Sequence, residues 1–118
     1  MPHLIIECSA NVVNNTSTQL LMNTVYVAAE STKLFTPGDI KVRIRPFETY
    51  QLAEGQHSFL HVFGYIMQGR TDEQKKQLSE VVVSALNQLI PDTTFISMNV
   101  MEFEKANYFN KGMIKSNK

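Results

Sequence analysis

A chain of 118 residues with 43% hydrophobic and 19% charged side chains has the make-up of a single globular domain, long enough to bury a core without covalent staples. Its formal net charge is zero, which removes any general pull towards nucleic acid or an anionic membrane, and the basic tail from Lys105 lacks the aromatic interleaving of a nucleic-acid platform. The single cysteine, Cys8, forms no internal disulfide, no apolar run nears the roughly 20 residues of a membrane span, and no charged-then-apolar leader precedes the first strand. The expected location is therefore the cytoplasm, where the sequons at Asn14 and Asn15 carry no meaning.

Residues 2–8, PHLIIEC, read as a short buried strand stopped by Ser9 and Asn11, with Pro2 at the first strand position, where proline is tolerated. From Thr16 to about Leu34 apolar residues recur every three or four positions (Leu20, Leu21, Thr24, Val25, Ala28, Ala29), the period of one helix face. Thr16 or Ser17 caps its start, and Pro37-Gly38 ends any continuation. Residues 40–47, IKVRIRPF, alternate cleanly: Ile40, Val42 and Ile44 point one way, Lys41, Arg43 and Arg45 the other.

Residues 48–56 connect to a third strand, 57–67, HSFLHVFGYIM, which is apolar on both faces and so is expected to be covered on both. Thr71 followed by Gln74 is a capping-box signature for a second helix, whose buried stripe is Leu78, Val82, Ala85, Leu86 and Leu89 and whose stop is Pro91. Residues 94–104 form a fourth strand with Ile96, Met98 and Val100 on one face, and the last dozen residues are irregular.

The order is β-α-β, connector, β-α-β: an α+β domain over 1–118 with pseudo-repeats 2–47 and 57–104 that share little letter-by-letter identity. Each helix spans enough chain for a right-handed parallel crossover, so both cover the same face of a four-stranded sheet. The opposite face, with Lys41, Arg43 and Arg45 on one strand and Phe59, His61, Phe63 or their alternates on another, needs its own cover. A second copy of the chain is the economical one, and an oligomer is expected.

Much chemistry has no support. His57 and His61 lie on a strand, where four residues span roughly 13 Å, too far to share one ion. His3 and Cys8 have opposite parity, so the histidines read as packing or hydrogen-bonding groups. Dinucleotide, phosphate-loop, zinc-protease and serine-hydrolase motifs are missing, and Glu7 and Glu102 read as solvated or salt-bridged.

What remains is Pro2 and the cations. Removal of the starting Met, usual before a small residue, leaves a free secondary amine. It works as a base only if it is neutral near pH 7, and an ordinary α-amino group titrates near 8. Burial and neighbouring positive charges both lower such a value. Lys41 and Arg43 lie on a strand able to neighbour the first, and Arg70 stands at the start of the second helix, where free N–H groups favour anions. The same cations suit a carboxylate-bearing substrate and a developing enolate. Without Pro2, they read as a solvated strand face and a helix-cap charge.

PHLIIECS, AEGQH at 53–57, the GR before the second helix, the β-α-β repeat and the NYFNKG of the tail together resemble the tautomerase superfamily, and within it the 5-carboxymethyl-2-hydroxymuconate isomerase family. The resemblance spans essentially the whole chain. It implies a homotrimer whose sheets surround a central barrel, sites near subunit boundaries, and a proton moved by Pro2 on a small anionic 2-hydroxy-dienoate from aromatic catabolism. It also implies no cofactor or metal. Pro2 matches the family's base and Arg70 its arginine before the second helix. Arg43 matches a strand arginine, while Lys41 stands where the family has arginine at the start of the second strand. Lysine keeps the charge and loses the planar two-pronged grip on a carboxylate. Either Arg43 or Arg45 compensates, or the substrate differs.

Two other readings compete: a non-catalytic trimeric binding protein on the same scaffold, with Pro2 merely a strand start, and a ferredoxin-like dimeric domain, which gives Pro2 no role.

Overall fold

The computed structural model describes residues 1–115; the end of the tail, 116–118, lies outside the described residues. In chain order the elements are β1 (His3–Ser9), α1 (Ala10–Asn15), α2 (Thr18–Ser31), β2 (Lys41–Phe47), β3 (Phe59–Met67), α3 (Asp72–Leu89) and β4 (Phe95–Phe103). Two 3-10 turns, Lys105–Asn107 and Lys111–Met113, interrupt an otherwise irregular tail.

The sheet order is β2-β1-β3-β4. β1 pairs with β2 in parallel across α1 and α2, and β3 pairs with β4 in parallel across α3. The two halves join through an antiparallel β1–β3 pair, a relation the repeat pattern left open. The two parallel outer pairs exclude a ferredoxin-like sheet.

Strand alternation sorts the side chains. Leu4, Ile6 and Cys8 of β1 and Leu60, Val62 and Ile66 of β3 are fully buried under Leu21, Val25, Leu78, Val82 and Leu86 of α2 and α3. Each such aliphatic contributes about 1.5–3 kcal/mol by leaving water. Gly64 sits on this covered face, where a Cβ would come within 2.9 Å of Met98 Cε, so its smallness admits the methionine.

Three boundaries differ from expectation. The first strand runs to Ser9, and the stop read at Ser9 and Asn11 leads directly into a short helix, α1, which places Val12 in the core. α2 begins at Thr18 with the Ser17 hydroxyl accepting from Leu20 N at 3.0 Å. It ends at Ser31 rather than near Leu34, because the Ser31 and Thr32 hydroxyls bond back to the Ala28 and Ala29 carbonyls and Lys33 turns left-handed at φ 62°. β3 begins at Phe59, since side chains intercept the backbone before it: Asn11 Nδ2 donates to the His57 carbonyl and His57 N donates to Thr94 Oγ1. His57 is thus a loop residue. The capping box is present in full, with Thr71 and Gln74 each accepting from the other's backbone N–H.

The second face of the sheet is open in the protomer. His3, Ile5 and Glu7 of β1 stand between Lys41, Arg43 and Arg45 of β2 and Tyr65, Phe63 and His61 of β3. His61 hydrogen-bonds through Nδ1 to Ser97 Oγ at 2.6 Å and through Nε2 to Asn99 Oδ1 at 2.7 Å. Glu102 pairs with Lys75 at 3.5 Å. Among the described residues, no helix is long and apolar enough to cross a membrane.

Candidate active site

One end of the sheet gathers the candidate residues. β1 and β2 start there, β3 and β4 finish there, and the α2 exit and α3 entrance close it. Pro2 is fully buried and shares the parity of Leu4. Its carbonyl accepts from Lys41 N at 3.0 Å, which seats the beginning of β1 against the beginning of β2.

In the 118-residue chain Met1 is joined to Pro2, so the Pro2 nitrogen is an amide and the amine at this end is that of Met1. The Met1 amine donates to the Asp39 carbonyl at 3.2 Å, and Lys41 Nζ donates to the same carbonyl at 2.7 Å. Two cations thus converge on one oxygen. Burial, then the Lys41 charge, lowers the amine below the ordinary α-amino value, and the Asp39 carboxylate, 4.0 Å away, opposes them only in part. The Met1 amine thus gives up its proton more readily than an ordinary α-amino group.

The three predicted cations separate. Lys41 lies level with His3, next to Pro2, and Arg43 two positions further along, level with Ile5. Arg45 pairs with Glu7, four residues beyond His3, which places it roughly 13 Å along the strand from the Lys41 level. Register therefore favours Lys41 and Arg43, a choice parity alone left open. Arg70 is on the other side of this end. Its guanidinium donates to the Leu34 carbonyl and stacks over the Phe35 ring at 5.6 Å, tying the α2 exit to the α3 entrance. Leu34 and Phe35 pack on the helix-covered core, so Arg70 faces the connection rather than the open sheet.

Sequence reasoning missed the aromatic group beside these cations. The His3 ring meets Phe103 edge-on at 6.1 Å, and Phe103 lies 6.0 Å from both Tyr65 and Tyr108. Strand parity alone puts His3 and Tyr65 on the open face, whereas their meeting with Phe103 needs the register across three strands. Cys8 takes no part: burial pushes its thiol up to about 11. A groove of about 550 Å³ between α2 and β2 includes Lys41 with Gln19, Met22 and Tyr26 in its lining. Another of about 320 Å³, lined by Asn11, Asn15, Ser58 and Asp92, contains none of the candidate residues. Among the described residues, no three His, Cys, Asp or Glu side chains are grouped to hold a metal ion.

The arrangement has relatives. A family model described as 5-carboxymethyl-2-hydroxymuconate isomerase matches residues 2–117. The 5-carboxymethyl-2-hydroxymuconate Delta-isomerase of Escherichia coli is 32% identical over 84 residues, covering 70% of this chain and 67% of that one. A solved 5-carboxymethyl-2-hydroxymuconate isomerase from Deinococcus radiodurans R1 superposes with a TM-score of 0.76 at 24% identity, over 93% of this chain and 88% of that one. A fused 4-OT solved as a symmetric trimer superposes with a TM-score of 0.69 at 16% identity, over 86% of this chain and 87% of the other, a likeness of fold alone. With its two parallel pairs joined at β1 and β3 and a match running from Pro2 to residue 117, the chain belongs to the 5-carboxymethyl-2-hydroxymuconate isomerase family.

Proposed function

We propose that the protein is a cofactor-independent isomerase that moves a proton within an unsaturated 2-hydroxy or 2-oxo carboxylic acid, with the Pro2 amine, freed by loss of Met1, as the base. The neutral amine takes the 2-hydroxyl proton, leaving a dienolate, and returns a proton to carbon further along the conjugated chain. The product is the ketone tautomer, and the amine is regenerated. Lys41 and Arg43 hold the substrate carboxylates and balance the dienolate charge. Arg70, already bonded to Leu34, would join them by exchanging that carbonyl for a carboxylate. A substrate of the 5-carboxymethyl-2-hydroxymuconate type, from aromatic catabolism, fits the family and the cations.

The observation that carries this reading is the placing of Pro2, fully buried at the head of β1 with its carbonyl held by Lys41 N at 3.0 Å, where burial and a neighbouring cation both favour the neutral form of the amine that loss of Met1 frees. The open face, with its half-buried row of Phe59, His61, Phe63 and Tyr65, supports a trimer in which neighbouring copies cover it, in the manner of the trimeric fused 4-OT.

A second reading is a trimeric binding protein without catalysis, in which Met1 stays and Pro2 keeps its amide. Intact mass and an ultraviolet assay decide between them. The enzyme reading expects a protein lighter by one methionine that changes the absorbance of 2-hydroxymuconate-type acids, and a folded Pro2→Ala variant that loses most of this activity. A retained methionine in a protein without turnover, or full activity in Pro2→Ala, overturns it.

A further inference from the structure

We propose that His3 is a positioning residue of this site: a neutral imidazole that draws the Arg43 guanidinium back towards Pro2 and so sets the grip on a substrate carboxylate. The inference rests on the reading that Pro2 and the β2 cations form a substrate site, and it deepens that reading.

Arg43 Nη1 lies 3.1 Å from His3 Nδ1. A guanidinium has only donors, so the bond assigns the roles: Nδ1 accepts, and the ring carries its hydrogen on Nε2. An imidazolium would instead set two donors against each other. Burial and the Arg43, Lys41 and chain-start charges all lower the pKa of His3, in keeping with a neutral ring. The ring is held in place as well. It lies edge-on to Phe103, which is itself packed against Tyr65 and Tyr108.

The consequence is one of reach. Arg43 belongs to an edge strand, level with Ile5, and its side chain is exposed. Unanchored, so long a side chain samples many rotamers. The bond to His3 brings its guanidinium back towards a level two register positions nearer the chain's start, roughly 7 Å at strand spacing. Arg43 is thereby drawn back towards the level of Lys41, whose backbone N donates to the Pro2 carbonyl, and one Nη1 hydrogen bond is spent while the remaining donors stay available. A compact lysine at position 41 lacks the planar fork, and an oriented Arg43 restores it. The substrate class this suits carries a carboxylate within one arginine's reach of the reacting end.

Two substitutions separate acceptor from ring. In His3→Asn the amide Oδ1 takes the place of Nδ1, whereas His3→Phe keeps an aromatic ring and removes the acceptor. With a 2-hydroxymuconate-type dicarboxylate, His3→Phe is expected to raise KM about tenfold with kcat within about twofold, and His3→Asn to stay within about threefold in KM. Equal damage in both, or an unchanged KM in His3→Phe, overturns the proposal. Nitrogen-15 NMR of the wild-type imidazole judges the pair without turnover. It should show an Nε2-protonated ring whose Nδ1 signal shifts in Arg43→Gln, and a ring protonated on Nδ1 also overturns it. A wild type inactive towards every such acid would sink the isomerase reading, and the NMR result would still decide the His3–Arg43 pair.

Discussion

Replacing Arg70 by alanine separates the contact seen in the structure from the substrate role proposed for it. In the resting chain the guanidinium donates to the Leu34 carbonyl and stacks on Phe35. A hydrogen bond from a charged group contributes about 1.5–3 kcal/mol, and a cation–π contact at a partly exposed site about 0.5–1 kcal/mol. Arg70 is only half-buried and the freed carbonyl can be rehydrated, so the lower ends apply, and the expected loss is about 2 kcal/mol. An unfolding entropy of about 2.1 cal/mol/K per residue amounts to about 0.25 kcal/mol/K for this chain, which turns that loss into a fall in Tm of about 8 °C. Arg70→Lys keeps the charge but not the planar stack and should fall about half as far. The assay is thermal unfolding at one fixed protomer concentration, with KM measured on the same preparations. A Tm within about 2 °C of wild type in Arg70→Ala would refute the structural tie. A lowered Tm with an unchanged KM would leave Arg70 as a brace between α2 and α3 and remove it from the substrate site.

Leu78, fully buried on α3 against the sheet, should lose about 2–5 kcal/mol on change to alanine, read as a lower denaturant midpoint with an unchanged slope; a smaller loss would mean the site collapses around the gap. Acid should also cost stability. In a chain that keeps Met1, the Met1 amine and His3 both have folded pKa values below their ordinary 8.0 and 6.5, so the folded state binds fewer protons than the unfolded state in those windows. Their contribution is fully present above about pH 8 and declines as pH falls through 8.0 and then 6.5 towards the lowered values. Denaturant midpoints measured from pH 8.5 to 5 should decrease, and Arg43→Gln should flatten the part below 6.5 by removing the Arg43 charge beside His3. An Arg43→Gln curve parallel to wild type throughout would refute the coupling.

Several features were legible because they are local. The capping box at Thr71 and Gln74 needs only four residues and a following apolar stripe. The alternation of Lys41, Arg43 and Arg45 against Val42 and Ile44 follows from the two-residue period of a strand, and so does the opposite placing of His3 and Cys8. The helix ANVVNN was hidden, since paired valines and asparagines are weak helix formers and its six residues give no period. It forms because Ala10 and Val12 are buried by the rest of the fold, while the Ser9 hydroxyl is taken up by Asn11 and by Phe59 N. The charge of Arg70 was equally visible, but its engagement with Leu34 and Phe35 joins residues 36 and 35 positions away and has no sequence signature.

Periodicity and capping, which depend on neighbours along the chain, determined the longer helices and the strands and most of the buried stripes, though Leu20 of the first predicted helix face is exposed, while the family likeness came from the motifs at Pro2, AEGQH and Gly69-Arg70. The tertiary structure alone decided how the halves meet, antiparallel at β1 and β3, and which cations lie near the chain's start. Register couples positions some forty residues apart, and a shift of one position would turn every side chain to the opposite face. For that reason the nearness of Lys41 to Pro2, the distance of Arg45 and the bond from Arg43 to His3 belong to the fold rather than to any stretch of letters.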